Sequence, residues 1–329
     1  MEADRSTARS VARLLSGYLC GTHSGLHMLG RSSAIGAARV LDAHRLVASD
    51  GGGSKSSEST ALGERRWEPS GDSVELRDAL CAALPADADV ELVVFGSQAR
   101  GGTTGFSDLD AILVIPDGIA ADPRSLRALR RHVLAAQRVV LAYQPMQHHG
   151  FEVVTPRLLD EAALALALPV EAVGESRSLF GRPVEACFTP VADPAAAFQR
   201  LASQLVRIRS WPRHPWKLHR LVAMFELAPT LYLQSTGRPS AKWLSFSSVR
   251  AEFPSLWRPY EVLDELRREW PRVRRPGLEL AVKMFRNPWD AVAAWRRLPA
   301  RSPRAVALLT EECLSDLIEL TRQMLRNVK

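Results

Sequence analysis

The chain has 329 residues, carries a formal net charge of +7 and is 46% hydrophobic. This length is sufficient for two hydrophobic cores, and the sequence contains no uninterrupted apolar stretch of membrane length, so we expect a cytoplasmic protein of two domains with no membrane partner. The four cysteines lie far apart and form no Cys-x-x-Cys or Cys/His cluster, which argues against a zinc site or a disulfide framework; they are Cys20, Cys81, Cys187 and Cys313.

Residues 1–70 differ in composition from the rest of the chain. Residues 49–59 are rich in Gly and Ser, which is typical of a flexible linker. Acidic residues near the start argue against a transit peptide. Five apolar residues at helical spacing predict one short amphipathic helix: Val11, Leu14, Leu15, Tyr18 and Leu19. We expect residues 1–70 to form a flexible or appended segment, and we assign it no function.

The most informative stretch follows a predicted helix at residues 74–84 and covers residues 92–115. Residues 92–95 are an apolar run that predicts a buried strand, and Gly96-Ser97 ends this strand at once. A glycine lets the backbone approach an anion closely, and Ser97 adds a hydroxyl group and an N–H group. The sequence therefore predicts a phosphate-binding turn at this position.

Asp108 and Asp110 open the next predicted strand. Side chains of a strand alternate between its two faces, so both carboxylates point to the same side. Two carboxylates on one face repel each other unless a cation lies between them, and hard oxygen ligands suit Mg²⁺. Together, the turn and the aspartate pair predict a site for a metal–triphosphate complex.

This stretch closely resembles the signature of the DNA polymerase β-like nucleotidyltransferases, in which Gly-Ser is followed after a short loop by Asp-x-Asp. Its Ser-x-Ala-Arg-Gly and Ser-Asp-Leu-Asp forms are most similar to the minimal and antibiotic-modifying branch of that superfamily, over residues 90–156. The resemblance implies transfer of a nucleoside monophosphate from an NTP, with ATP as the expected donor, to a hydroxyl group. It also implies two Mg²⁺ ions, for which Mn²⁺ could substitute, held by Asp108 and Asp110.

The resemblance also assigns residues to the nucleotide: Gly96, Ser97, Arg100 and Ser107. Arg100 has two open interpretations, since its guanidinium group could contact the triphosphate or brace the loop through backbone carbonyls.

A two-metal site usually needs a third carboxylate. Residues 150–155 have a strand pattern in which Glu152 faces away from Phe151 and Val153, and a predicted helix at residues 123–140 would return this strand to the side of the Asp108 strand. The resemblance gives Glu152 the role of third metal ligand, although many members have Asp there. His148 and His149 precede it, and at most one of these adjacent residues is expected to face the site.

Beyond residue 190 the hydrophobic patterns are helical, with predicted helices at residues 195–208, 218–234, 259–270, 277–285, 291–298 and 305–327. Seven of the eight tryptophans fall in this part, and we favour a packing role for them over base stacking. We therefore predict an α/β (α+β) nucleotidyltransferase domain with a small mixed β-sheet at residues 71–190, followed by an all-α helical bundle at residues 191–329.

The predicted bundle is basic, because residues 201–329 contain 23 Lys and Arg against 12 Asp and Glu. Such a surface suits an anionic partner, either the triphosphate or a nucleic acid. In the superfamily the helical domain often supplies a Lys and small hydroxyl groups to phosphates, and the resemblance carries this role to Lys242 and Ser245. A second pattern, from Arg209 to His214, is similar to the Arg-x4–6-His motif of HEPN ribonucleases, but neighbouring prolines should break the helix that it requires.

Three functions remain open. The leading one is an enzyme that transfers a nucleoside monophosphate to a hydroxyl group of a small molecule or protein. The second is a template-independent RNA or tRNA-end nucleotidyltransferase, which the basic bundle favours but for which no RNA-binding module is recognised. The third is a degenerate NTP-binding or antitoxin-like module, against which the intact Gly-Ser and Asp-x-Asp motifs argue.

Overall fold

The computed structural model describes residues 12, 14–21, 59–86, 89–147, 149–162, 174–187, 194–238, 242–270, 276–298 and 304–328. Its strands are β1 (Ser59–Leu62), β2 (Arg65–Arg66), β3 (Glu91–Val94), β4 (Ala111–Val114), β5 (Glu152–Val154), β6 (Arg177–Ser178) and β7 (Val184–Cys187). Between residues 59 and 190 the helices are α1 (Ser73–Ala83), α2 (Gly96–Arg100), α3 (Asp117–Ala121), α4 (Pro123–Tyr143) and α5 (Pro156–Ala162). Those after it are α6 (Pro194–Leu205), α7 (Pro215–Ser235), α8 (Lys242–Glu252), α9 (Arg258–Glu269), α10 (Pro276–Met284), α11 (Pro288–Trp295) and α12 (Glu311–Asn327).

The main sheet has five strands in the order β2-β6-β3-β4-β5, and β1 pairs with β7 in a separate two-stranded sheet. Strand β3 runs antiparallel to β4, whereas β5 runs parallel to β4 with Ile112 opposite Glu152. The return between β4 and β5 is α4, whose start is fixed by Pro123 and by the Asp122 side chain, which accepts from the N–H groups of Arg124 and Ser125. The predicted mixed sheet with the Glu152 strand beside the aspartate strand is thus confirmed.

The described parts of residues 1–70 include a helix and strands with buried side chains, while most of the segment lies outside the described residues, so its assignment as a flexible or appended segment stays a prediction. Residues 14–20 form the predicted helix, and Leu15, Leu19 and Cys20 are fully buried in the same core as β3 and β4. This helix lies along the outer edge of β5, where the Val153 N–H group donates to Ser16 Oγ over 2.8 Å. The predicted linker at residues 49–59 lies almost entirely outside the described residues.

The helices after residue 190 build a second hydrophobic core, as the sequence predicted for an all-α unit. Two side chains from the first unit, Phe106 and Met146, are buried in this second core. A smaller cluster joins Leu141 of α4 to Leu278 and Trp289 of the helical unit. The two units therefore share an apolar interface, and Phe106 belongs to the loop that leads directly to the aspartates. The domain boundaries at residues 70 and 190 stay a prediction.

Among the described helices, none is both long enough and apolar enough to cross a membrane.

Candidate active site

The predicted phosphate-binding turn forms where β3 ends. Gly96 adopts φ of +64°, a left-handed conformation that glycine enters without the steric cost that a Cβ imposes. A Cβ at this position would lie only 2.9 Å from Oδ2 of Asp110. The backbone at Gly96 therefore approaches the aspartate carboxylate directly, and a side chain at this position would force the carboxylate to move. Ser97 follows in the first turn of α2, where backbone N–H groups have no partner within the helix.

The two aspartates meet a histidine. Nε2 of His149 lies 3.2 Å from Oδ1 of Asp110 and 3.7 Å from Oδ2 of Asp108. The three side chains offer ligand atoms that all lie within 4.8 Å of one another, and in the described part of the chain this is the group of His, Cys, Asp and Glu residues arranged to hold a metal. The donor set of two carboxylates and one imidazole fits a divalent cation. His148 lies outside the described residues.

The electrostatics of His149 follow from this arrangement. Burial alone would lower its pKa, but the hydrogen bond to Asp110 and the negative charges of Asp110 and Asp108 outweigh burial and raise the pKa of His149 to about 10. Without a metal ion, the protonated imidazole thus supplies the positive charge between the two carboxylates.

Glu152 lies on β5, next to the strand β4 that follows the two aspartates. Its Cα pairs with that of Ile112, two residues beyond Asp110, and paired residues of parallel strands direct their side chains to the same face. Its carboxylate is not part of the metal-capable group of Asp108, Asp110 and His149. The assignment of Glu152 as third metal ligand therefore stays a prediction, and the third position beside the aspartates belongs to His149.

Two glutamines that the sequence analysis missed hold the aspartate segment in place. Gln147 is 2% exposed, and its amide group accepts from the Leu109 N–H group over 2.9 Å and donates to the Leu109 carbonyl over 3.0 Å. Gln144 donates to the carbonyl oxygens of Gly105 and Ser107. Because Leu109 separates the two aspartates, Gln147 fixes the peptide on both sides of it. The available sequence signal was the pair of polar residues, Gln144 and Gln147, that directly follows α4.

The helical unit contacts the same segment. His219 of α7 bonds through Nε2 to the carbonyl oxygen of Phe106 over 2.9 Å, and the two rings stack with centroids 4.0 Å apart. Arg296 donates to the carbonyl oxygen of Gln147, and its guanidinium group lies over the Trp216 ring at 4.3 Å. Burial lowers the pKa of Arg296 to about 10. Helices from the second unit therefore brace the loop that carries the aspartates.

The residues predicted to bind nucleotide fall into two groups. Gly96 adjoins Asp110 and is followed by Ser97, while Arg100 forms an ion pair with Glu175 over 3.5 Å. The Ser107 hydroxyl group is 3.0 Å from the Thr104 N–H group, from which it accepts, and so closes the turn before the aspartates.

Lys242 and Ser245 both lie on α8 of the helical unit. Lys242 pairs with the buried carboxylate of Glu226, which also pairs with Arg267. The Ser245 hydroxyl group is fully buried and shares a 2.9 Å hydrogen bond with Thr230. Within the described contacts, these groups serve the packing of α7, α8 and α9, so phosphate binding by Lys242 and Ser245 stays a prediction.

The segment from Arg209 to His214 is not helical, which confirms the expected effect of the neighbouring prolines. Helix α7 starts at Pro215, and His214 caps it by accepting from the Trp216 N–H group. Trp257, Trp270 and Trp289 are 6% exposed or less, which agrees with packing roles.

We expect Gln147→Met to lower the free energy of unfolding by about 1–3 kcal/mol, because the N–H and carbonyl groups of Leu109 lose buried partners. Urea denaturation would measure the loss. The matched control is Gln137→Met on α4, since Gln137 is fully buried and neither of its amide atoms has a partner among the described residues. This control should be neutral or stabilising. Equal losses in both variants would contradict the role assigned to Gln147.

Comparison with known proteins agrees with this geometry. Residues 74–142 match the family model described as nucleotidyltransferase domain. The matched span runs from α1 to α4 and contains Gly96, Ser97, Asp108 and Asp110, whereas His149 and Glu152 follow it. No curated protein matches the chain. Residues 74–142 are therefore a nucleotidyltransferase domain, consistent with the DNA polymerase β-like superfamily that the Gly-Ser and Asp-x-Asp motifs predicted.

Proposed function

We propose that the protein transfers a nucleoside monophosphate, with ATP as the preferred donor, to a hydroxyl group of a small molecule or protein through a two-metal mechanism. The observation that most supports this proposal is the close approach of the Gly96 backbone to the Asp110 carboxylate within a nucleotidyltransferase domain. A turn able to bind phosphate and a pair of metal-binding carboxylates are thereby in contact, and a metal-bound triphosphate needs both.

In this proposal, Asp108 and Asp110 hold the metal, and the N–H groups at Gly96-Ser97 bind phosphate oxygens. When bound, divalent cations neutralise charge on the triphosphate and lower the pKa of the attacking hydroxyl group. Gln147 keeps the two aspartates at a fixed separation through the Leu109 peptide. Phe106, packed against His219 and Trp270, keeps the preceding loop closed. These contacts preorganise the carboxylates, so that little reorganisation is needed when substrate binds.

We assign Glu152 the role of accepting the proton of the acceptor hydroxyl group, because its Cα pairs with that of Ile112, two residues after Asp110. Glu152→Gln should preserve NTP affinity, because Asp108 and Asp110 hold the metal of the nucleotide, and should reduce turnover by about a hundredfold or more. Calorimetry of Mg–NTP binding and single-turnover kinetics measure the two effects. Glu64→Gln, an exposed change outside the site, serves as the control. Unchanged turnover in Glu152→Gln would remove this residue from the mechanism.

The acceptor is tested by incubating the protein with each labelled NTP, Mg²⁺ or Mn²⁺, and a panel of aminoglycosides, lincosamides, proteins and RNA. Label transferred from ATP to a small molecule or protein, with release of pyrophosphate, is the expected result. Label at the 3′ end of RNA would favour the second candidate, for which the 23 Lys and Arg of residues 201–329 are the supporting observation. Nucleotide binding without any transfer, across the whole panel, would favour a degenerate module.

The reaction is proposed for the cytoplasm. Cys20, Cys81 and Cys313 are unpaired thiols, as a reducing compartment allows.

A further inference from the structure

We infer that His149 is a direct ligand of the metal and that its nitrogen donor makes this centre select Mn²⁺ and related transition-metal ions over Mg²⁺. The inference rests on the proposed function, which locates the metal at Asp108 and Asp110. It goes further by adding a third ligand of different chemistry, and that ligand changes which ion the site prefers.

The first argument is the geometry of the three donor atoms. Around an octahedral ion with bonds of about 2.1 Å, adjacent ligand atoms lie about 3 Å apart. Nε2 of His149 lies 3.2 Å from Asp110 Oδ1 and 3.7 Å from Asp108 Oδ2. All three ligand atoms lie within 4.8 Å of one another, so small movements of the side chains would bring them into one coordination shell.

The second argument is the orientation of the imidazole ring. Nδ1 of His149 lies 3.0 Å from the carbonyl oxygen of Gly150, and since a carbonyl only accepts, Nδ1 is the donor. The lone pair of neutral imidazole is then on Nε2, the nitrogen that faces the aspartates. Metal-binding histidines are commonly held in this way, with the remote nitrogen donating to a backbone carbonyl. Gln147 Nε2 also donates to the His149 carbonyl over 3.1 Å, which fixes the backbone that carries the ring.

The third argument is the chemistry of the donor set. Mg²⁺ favours oxygen ligands, whereas imidazole nitrogen suits transition-metal ions, whose affinity for such ligands rises along the series from Mn²⁺ to Cu²⁺. A site with two carboxylates alone would accept Mg²⁺ through oxygen atoms and water. Adding Nε2 of His149 raises the affinity for Mn²⁺ more than the affinity for Mg²⁺.

The rival interpretation is that His149 is only a counter-charge, which a metal ion displaces from the aspartates. The two interpretations predict opposite changes in metal affinity when His149 is replaced by alanine. If His149 is a counter-charge, His149→Ala removes a competitor, and the affinities for Mn²⁺ and Mg²⁺ both rise. If His149 is a ligand, His149→Ala weakens the binding of Mn²⁺ and changes the binding of Mg²⁺ much less.

The experiment titrates the nucleotide-free, full-length protein with Mn²⁺, followed by electron paramagnetic resonance, and with Mg²⁺ in competition. We expect His149→Ala to raise the Mn²⁺ dissociation constant about tenfold or more, by analogy with losses at metal-supporting residues, and the Mg²⁺ constant by less than about threefold. Electron spin-echo modulation from a directly bound nitrogen should be present in the wild type and absent in the variant. Tighter binding of both ions, or no nitrogen modulation in the wild type, would overturn the inference.

Two further variants complete the design. His149→Asp keeps a third ligand but makes it oxygen, so the preference for Mn²⁺ over Mg²⁺ should fall even if both ions bind tightly. His132→Ala is the matched control, because His132 lies on α4 and its ring contacts the Ala83 carbonyl outside the cluster. If Asp110→Asn leaves metal binding intact, the metal site of the proposed function fails. If Asp110→Asn weakens metal binding but the His149 variants bind both ions like the wild type, the proposed nucleotidyl transfer is retained and the inference that His149 is a ligand fails.

Discussion

Asp110→Asn should reduce nucleotidyl transfer by about a thousandfold or more, because several kcal/mol of charge stabilisation is lost with one metal ligand. Asp108→Asn should have an effect of the same size. The thermal midpoint should change little in either variant, since His149 contacts both carboxylates and retains one charged partner. Initial rates with labelled NTP and circular dichroism melting curves measure the two quantities.

The control for both variants is Asp78→Asn, at an exposed carboxylate on α1 that pairs with Arg77. Transfer near the wild-type rate in Asp108→Asn or Asp110→Asn would contradict the proposed metal site.

The second large effect is expected for Gly96→Ala. The added Cβ would meet Oδ2 of Asp110 at 2.9 Å, and a left-handed conformation costs an L-residue about 1–2 kcal/mol. The carboxylate must move to relieve the contact, so transfer should fall at least about a hundredfold, in line with the cost of misplacing a catalytic group. Calorimetry should show weaker binding of the Mg–NTP complex.

Gly101→Ala separates the two causes of this effect. Gly101 has φ of +81°, also left-handed, but nothing lies within 4 Å of a Cβ built there. This variant should show the conformational destabilisation with little loss of transfer. If both alanine variants lose transfer equally, the loss at Gly96 comes from backbone strain and not from contact with Asp110.

The parts of the site that could be predicted are local in sequence. The Gly96-Ser97 turn and the aspartate pair depend on residues a few positions apart, and the start of α4 is specified by Asp122 and Pro123 alone. The position of β5, parallel to β4 and connected to it through α4, could be predicted from the right-handedness of strand–helix–strand connections. In each case the determining interactions involve neighbouring residues or a general rule of topology.

The parts that failed depend on contacts between distant residues. Strand β4 begins at Ala111, not at Asp108, because Leu109 pairs with the Gln147 side chain and not with a strand. Sequence alternation could not decide which of two histidines faces the aspartates, since the loop before β5 is irregular. The helical pattern of residues 14–20 was recognised, but its burial depends on Phe151 and Val153, more than 130 positions away.

The position of that first helix has a consequence for solubility. Strand β5 is the last strand of its sheet, and an open strand edge is a template on which another chain can add a strand. Here the Val153 N–H group donates to Ser16 Oγ, and Cys20 Sγ donates to the Phe151 carbonyl oxygen. The helix at residues 14–20 thus covers a strand edge to which another copy of the chain could otherwise add a strand, and this edge strand also carries Glu152.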